Sequence, residues 1–110
     1  MSIVGIDYTD RIERIEPNHL RGFFVGWPNP PAPDDHLRIL RGSDHVVLAI
    51  DEETDAVVGF VTAISDGVSC AYIPHLEVLP AYQGQGIGSE LMRRILDRLR
   101  DLYNYWCASR

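Results

Sequence analysis

The sequence of 110 residues contains no lysine, and all ten of its basic residues are arginine. Lysine-dependent chemistry is excluded with it: no Schiff base forms, and the Gly-x-x-x-x-Gly-Lys phosphate loop cannot be built. Basic charge is scarce as a whole, since sixteen acidic residues leave a formal net charge of −6 and a pI near 5.0. A chain of that sign repels a phosphate backbone, so no nucleic-acid partner is expected. Cysteine is scarce too. Cys70 and Cys107 form no Cys-x-x-Cys pair, so neither a disulfide framework nor a zinc knuckle is signalled, and both read as reduced thiols. His19, His36 and His45 are scattered without metal-ligand spacing and read as surface or helix-end residues, so no metal is expected. Long apolar runs are missing: the longest aliphatic stretch, residues 46–50, is far too short to cross a bilayer. The first residues have neither the basic start nor the apolar core of a signal peptide. A cytoplasmic protein without a membrane partner is the expectation.

What is present is ordinary globular material, 45% hydrophobic and 24% charged. A single domain over residues 1–110 is expected, burying roughly 65% of its unfolded surface. Residues 3–8 read as a strand. Pro17 opens a first helix at Asn18 that carries Leu20, Phe23 and Phe24 before Gly26. Residues 27–33 hold four prolines and read as a stiff loop. A second helix follows from Asp34, with Leu37, Ile39 and Leu40, and stops at Gly42. Strands are expected over 45–50, 56–65 and 68–79, with turns at 51–55 and at Asp66-Gly67 and an interruption at Pro74. From Ile87 to Leu102 the period becomes helical, because Ile87, Leu91, Ile95 and Leu99 recur every four residues. Residues 103–107 read as the start of one more strand.

The chemistry concentrates between the third of those strands and the last helix, in Leu76-Glu77-Val78-Leu79-Pro80-Ala81-Tyr82-Gln83-Gly84-Gln85-Gly86-Ile87-Gly88-Ser89. Three alternating glycines open an amphipathic helix. Glycine admits a sharp turn and a close ligand approach, and the free N–H groups of a helix's first turn form an anion site. A phosphate or pyrophosphate is the natural occupant. A plain strand-to-helix turn would need fewer glycines than three in five residues. A dinucleotide-binding Gly-x-Gly-x-x-Gly does not fit, because Gly88 comes one place early and too little chain follows for a second half.

Gln83-x-x-Gly86-x-Gly88, preceded by Leu76-x-Val78-x-Pro80, resembles the acetyl-CoA-binding motif of the GNAT-type N-acetyltransferase superfamily. The order of elements matches as well. The resemblance implies an α/β fold of acyl-CoA N-acyltransferase type: a mixed, mostly antiparallel sheet flanked by helices, in the order strand, helix, helix, three strands, helix, partial strand. By resemblance, the backbone of Gly84, Gln85, Gly86, Ile87, Gly88 and Ser89 would hold the CoA pyrophosphate, with Gln83 beside it. The main chain of Leu76, Glu77 and Val78 would pair with the pantetheine arm like an added strand, and the Val78 N–H would polarise the thioester carbonyl. Arg93 and Arg94 would either meet the outer phosphates or form a solvated face with a Glu90–Arg94 pair. The loop at 27–33 and the first two helices would line one side of the acceptor pocket.

The family fold continues with a full fifth strand, a helix and two more strands, and commonly takes a general acid from that region. Here the sequence reads as lacking the C-terminal helix and last strands, so no general acid is carried over. Some members place a glutamate early on the motif strand, near Tyr72 of this sequence. Glu77 is the nearest carboxylate and His75 the nearest group titrating near neutrality, each with an ordinary strand-surface reading beside it. Catalytic residues are therefore unassigned. Trp27 and Trp106 read as covers for the core at the two ends, and the Tyr103, Tyr105, Trp106 cluster suggests a homodimer through the C-terminal end. The expected function is acetyl transfer from acetyl-CoA to a primary amine of a small molecule or protein. The alternative is a non-catalytic CoA-binding or interaction module that keeps only the cofactor half.

Overall fold

The protein is described by a computed structural model over residues 5–102. Its strands are β1 (Ile6–Thr9), β2 (His45–Asp51), β3 (Val57–Ser65) and β4 (Ala71–Val78), and its helices are α1 (Pro33–Gly42) and α2 (Ile87–Leu99). The strands form one sheet in the order β1-β2-β3-β4, and all three pairings are antiparallel. The expected admixture of parallel pairing is not found among the described residues. The suggested fifth strand over 103–107 and the C-terminal dimer contact lie outside them.

Both faces of the sheet are covered, which is why β2 reads as an unbroken apolar run. Val47 and Ala49 face α2, joined by Val61 and Ala63 of β3. Val46 and Leu48 face the other way, with Val57, Phe60, Leu37 and Leu40 of α1, and Leu20 and Phe24. The four-residue period of α2 is realised as expected, since Ile87, Leu91, Ile95 and Leu99 are all buried on the sheet. Burial of each such side chain contributes about 1.5–3 kcal/mol. Its outer face carries Glu90, Arg93 and Arg94 in close ion pairs of 2.6–2.7 Å.

Two irregularities shape the sheet near β4. Thr62 pairs with His75 and Ile64 with Tyr72, so β4 carries one extra residue over Ile73-Pro74. A bulge on a sheet-edge strand is where a residue without an N–H is tolerated. The second lies on β3, where Ala49 pairs with Gly59 and Ile50 with Val57, leaving Val58 as the extra residue. Gly59 then lies under α2. A Cβ there would stand 3.0 Å from Leu91 Cδ1, 3.2 Å from the Glu77 carbonyl oxygen and 3.3 Å from Ile87 Cγ2.

Three expectations about elements need correction. The first helix does not form: Pro17–His19 is one 3-10 turn, closed by the Glu16 N–H donating to His19 Nδ1 at 2.9 Å. Beyond it Gly22 and Phe24 have positive φ (89° and 65°), and the Phe24 N–H donates to Glu77 Oε1 at 2.9 Å. A helical bond is thus replaced by a tertiary one across 53 positions. The proline loop ends one residue early, because Pro33 itself starts α1, where its missing N–H is no loss. The third strand starts at Ala71 rather than 68, because Asp66 Oδ1 accepts the N–H groups of Val68 and Ser69 at 2.9 and 2.8 Å and lengthens the turn.

Gly59→Ala is expected to destabilise the protein by about 1–3 kcal/mol, since a backbone oxygen must move to admit the methyl group. Denaturant unfolding measures this, and a variant as stable as the parent would show that the helix has slack over β3.

Candidate functional site

The site is built where β4 hands over to α2. The Leu79 N–H donates to the Val58 carbonyl at 2.8 Å. In an antiparallel ladder residues alternate, so the Val78 and Leu76 N–H groups point away from β3, towards the side of β4 that no other described strand covers. Pro80–Tyr82 then makes a 3-10 turn. Tyr82 OH donates to Asp51 Oδ2 at 2.6 Å, which fastens this turn to the end of β2. That bond holds the Asp51 carboxyl below the usual carboxylate range and pushes the Tyr82 phenol up. Gln83 Nε2 donates back to the Val78 carbonyl at 3.0 Å.

Gly84 and Gly86 sit at φ values of +81° and +87°, and Gly86 is the N-cap of α2. The first helical bond is from the Glu90 N–H to the Gly86 carbonyl. The N–H groups of Ile87, Gly88 and Ser89 therefore have no acceptor within the helix, and the positive end of the helix dipole lies there. A cleft of about 420 Å³ opens over this turn. It is lined by Leu76, Glu77, Val78, Gln83, Gly84, Gly86, Ile87, Gly88 and Ser89. Nine of the ten residues singled out in the sequence thus share one cavity, and only Gln85 stands outside its lining, exposed at the tip of the loop.

The three glycines are there for different reasons. Positive φ accounts for Gly84 and Gly86, and a Cβ on either would meet no protein atom within 4 Å. Gly88 is helical, and a Cβ there would make an ordinary 3.7 Å contact with Val78 Cγ2. Neither backbone geometry nor packing requires glycine at 88. What its hydrogen keeps open is the cleft between Val78 and the first turn of α2.

A second cleft, of about 400 Å³, lies along the same stretch of β4. Leu76, Glu77, Val78 and Gln83 line both, so the two cavities meet on the strand. Its remaining lining comes from Gly22, Phe23 and Val25 of the segment misread as a helix, from Trp27 just beyond it, and from Pro74, His75, Leu79 and Pro80. Of the proline loop, Trp27 lines this cleft, and the α1 side contributes no lining residue. Glu77 is committed to the Phe24 N–H. The His75 ring lies 6.1 Å from Trp27, and burial pushes its pKa below the ordinary histidine value, so it is neutral at neutral pH.

Of the surface and helix-end readings of His36 the first fails: it lies in the first turn of α1 but is fully buried among Phe23, Phe24 and Phe60, at ring distances of 5.3, 4.9 and 4.3 Å. Both of its ring nitrogens, and Thr62 Oγ1, are buried without a hydrogen-bond partner among the described residues. Nothing in the sequence flagged His36 or the Tyr82–Asp51 bond, since each depends on residues far along the chain. Arg93 and Arg94 line neither cleft; Glu90 pairs with both, and the Arg94 guanidinium lies 4.7 Å over the Tyr8 ring. The Glu90–Arg94 pair of the solvated-face reading is thus present. Among the described residues, no group of three His, Cys, Asp or Glu side chains is arranged for a metal, and no helix is long and apolar enough to cross a membrane.

The chain belongs to the acetyltransferase (GNAT) family, whose profile matches residues 12–109. It is 32% identical over 82 residues to an uncharacterized N-acetyltransferase ycf52-like protein from Prochlorococcus marinus, a match covering 70% of this chain. It spans 43% of that relative's length. A crystal structure of a putative acetyltransferase from Deinococcus radiodurans R1 superposes on all of this chain and 76% of its own, with a TM-score of 0.92 and 44% identity. A GNAT family acetyltransferase from Brucella melitensis, in complex with acetyl-CoA, shares the fold at a TM-score of 0.63 and 23% identity. That match covers 86% of this chain and 68% of the other.

Burial lowers the His36 pKa from 6.5 to about 4, and His75 nearby acts in the same direction. The unfolded chain therefore binds a proton that the folded one refuses between those values. The stability this contributes is complete above pH 6.5 and is lost progressively as pH falls towards 4, by roughly 3 kcal/mol in all. His36→Phe is expected to remove that part of the slope when unfolding free energy is measured against pH. An unchanged slope would mean that His36 ionises freely in the folded protein.

Proposed function

We propose that the protein transfers an acetyl group from acetyl-CoA to a primary amine. The observation that carries this is the coincidence of an open strand edge, a helix N-terminus with free N–H groups, and a glycine at 88 that the fold does not require. Acetyl-CoA fits both halves of that cleft. Its pyrophosphate suits the N–H groups of Gly84 to Ser89 and the helix dipole. Its amide-bearing arm suits the free edge at Leu76 and Val78. The Brucella neighbour, which carries acetyl-CoA, supports the same ligand. Family membership favours transfer over the non-catalytic alternative.

When bound, acetyl-CoA supplies an activated acyl carbon and a thiolate leaving group: a C–N bond forms, the C–S bond breaks, and CoA leaves as the thiol. The residues of the chain do the rest. The Val78 N–H donates to the carbonyl oxygen as charge develops on it. His75 borders the acceptor side of the same strand and enters neutral, so its imidazole takes the proton that frees the amine lone pair. The nitrogen starts as an ammonium and ends as an amide with two protons fewer. One of these goes through His75 to solvent, and the other ends on the thiol.

Two measurements test this reading. Calorimetric titration is expected to show acetyl-CoA binding that Gly88→Ala weakens by about 10-fold or more, while the variant is as stable as the parent or up to about 1 kcal/mol more stable. Unaltered affinity would remove the glycine turn from the site. The acid limb of kcat/KM is expected below pH 6.5, because the His75 pKa is lowered from that value. His75→Gln should abolish that limb and lower kcat/KM by about 100-fold. A variant that keeps both rate and profile would exclude His75 as the proton acceptor.

A further inference from the structure

Three buried polar atoms among the described residues carry no hydrogen bond: both ring nitrogens of His36 and the Thr62 hydroxyl oxygen. They belong to one place. Phe60 lies two positions before Thr62 on β3 and so on the same face of the sheet, and the His36 ring lies 4.3 Å from the Phe60 ring. Directly opposite Thr62 on β4 stands His75. Opposed residues of an antiparallel pair hold their Cβ atoms about 4.5–5.5 Å apart on one face, a separation that a threonine hydroxyl and an imidazole nitrogen can close. His36 and His75 share Phe24 and Phe60 as ring neighbours, and the charge of His75 is felt at His36.

A buried hydroxyl without a partner costs stability and returns nothing while His75 is neutral. Protonation of His75 changes that. An imidazolium has two N–H donors: one holds the proton taken in the cleft, and the other needs an acceptor on the inner side. Thr62 Oγ1 is an unused acceptor there. Its own O–H can then donate to a ring nitrogen of His36, which burial keeps neutral and which therefore retains a lone pair.

We infer that Thr62 is a positioning residue for His75: its hydroxyl accepts the inner N–H of the His75 imidazolium and donates in turn to His36. The inference rests on the reading of His75 as the proton acceptor. No proton moves inward; the hydroxyl and His36 hold the charged ring in place and lower its energy. Glu77, on the same strand as His75, also favours the imidazolium. From α1 the ring faces His36. From β3 and the segment 22–27 it faces Thr62, Phe60, Phe24 and Trp27, none of which titrates.

Thr62→Val keeps the shape and removes the hydroxyl. The His75 ring signals, followed by NMR against pH in the full chain, are expected to titrate about one pH unit lower in this variant, a roughly 10-fold loss of proton affinity. Thr62→Ser should restore the parent curve. Thr62→Val should be as stable as the parent or more so in denaturant, because an unpartnered hydroxyl leaves the interior; a threonine with only a structural role would give the opposite. In thiol-release assays the acid limb of kcat/KM should move down with the ring. The rate above it should fall about 3-fold as the base weakens, with acetyl-CoA affinity unchanged. Combining Thr62→Val with His36→Phe should shift His75 no further than Thr62→Val alone. An unmoved His75 titration in Thr62→Val, a serine variant that fails to restore it, or additive shifts from the two sites would overturn the inference. The two levels separate: a His75→Gln variant with full rate sinks the proton-acceptor reading, whereas the ring titration needs no turnover and decides the role of Thr62 alone.

Discussion

A ligand can touch a strand edge and a helix N-terminus together only if the helix comes down close beside the strand, and in this fold that approach depends on a missing Cβ. At Gly59 the β3 backbone leaves room for Ile87 and Leu91 on one side and the Glu77 carbonyl on the other, all within 3.3 Å of where a methyl group would be. Ile87 is the first residue of α2 and Glu77 lies inside β4, so this single contact ties together the two elements that form the cleft. The Tyr82–Asp51 hydrogen bond then fixes the turn between them to β2, and Gln83 closes the loop back onto Val78. The free N–H groups are thus held by packing that exists without the ligand, which is what a preorganised anion site requires.

The two clefts divide the work by chemistry. Over the glycine turn the surface offers backbone donors and a helix dipole, suited to negative charge. Along the other part of β4 it offers rings, aliphatic side chains and a neutral imidazole. Arg93 and Arg94 are paired with Glu90, and Arg98 with Asp10, whereas the Glu77 carboxylate lines both cavities. Glu77 belongs to the scaffold: by accepting the Phe24 N–H it pins the Phe23–Trp27 wall against β4.

What was legible in the sequence follows from the range of the interactions concerned. The four-residue period of α2 and the apolar run of β2 record local geometry, and both were found where expected, except that α2 ends at Leu99 rather than Leu102. The glycine spacing marked the cleft over Gly84 to Ser89, because positive φ and an open first turn leave a direct trace in residue type. The segment from Pro17 to Gly26 was misread because its helical periodicity lost to a bond with Glu77, distant in sequence. Leu76 and Val78 fall on a strand as expected, yet the lack of a further partner strand for that edge among the described residues is a property of the sheet rather than of the residues. Trp27 and Phe23 read as core covers or helix, although they form the wall of the second cleft. His36, buried between three phenylalanines, left no trace in its own neighbourhood of the chain.

The central claim is that one ligand engages the β4 edge and the α2 N-terminus at once. Backbone amide signals followed by NMR during an acetyl-CoA titration test it most directly. The account predicts that the Leu76 and Val78 amides and those of residues 84–89 shift together and gain protection from exchange, with a single affinity. Binding that leaves either set unmoved, or that perturbs the two sets at different ligand concentrations, would contradict it.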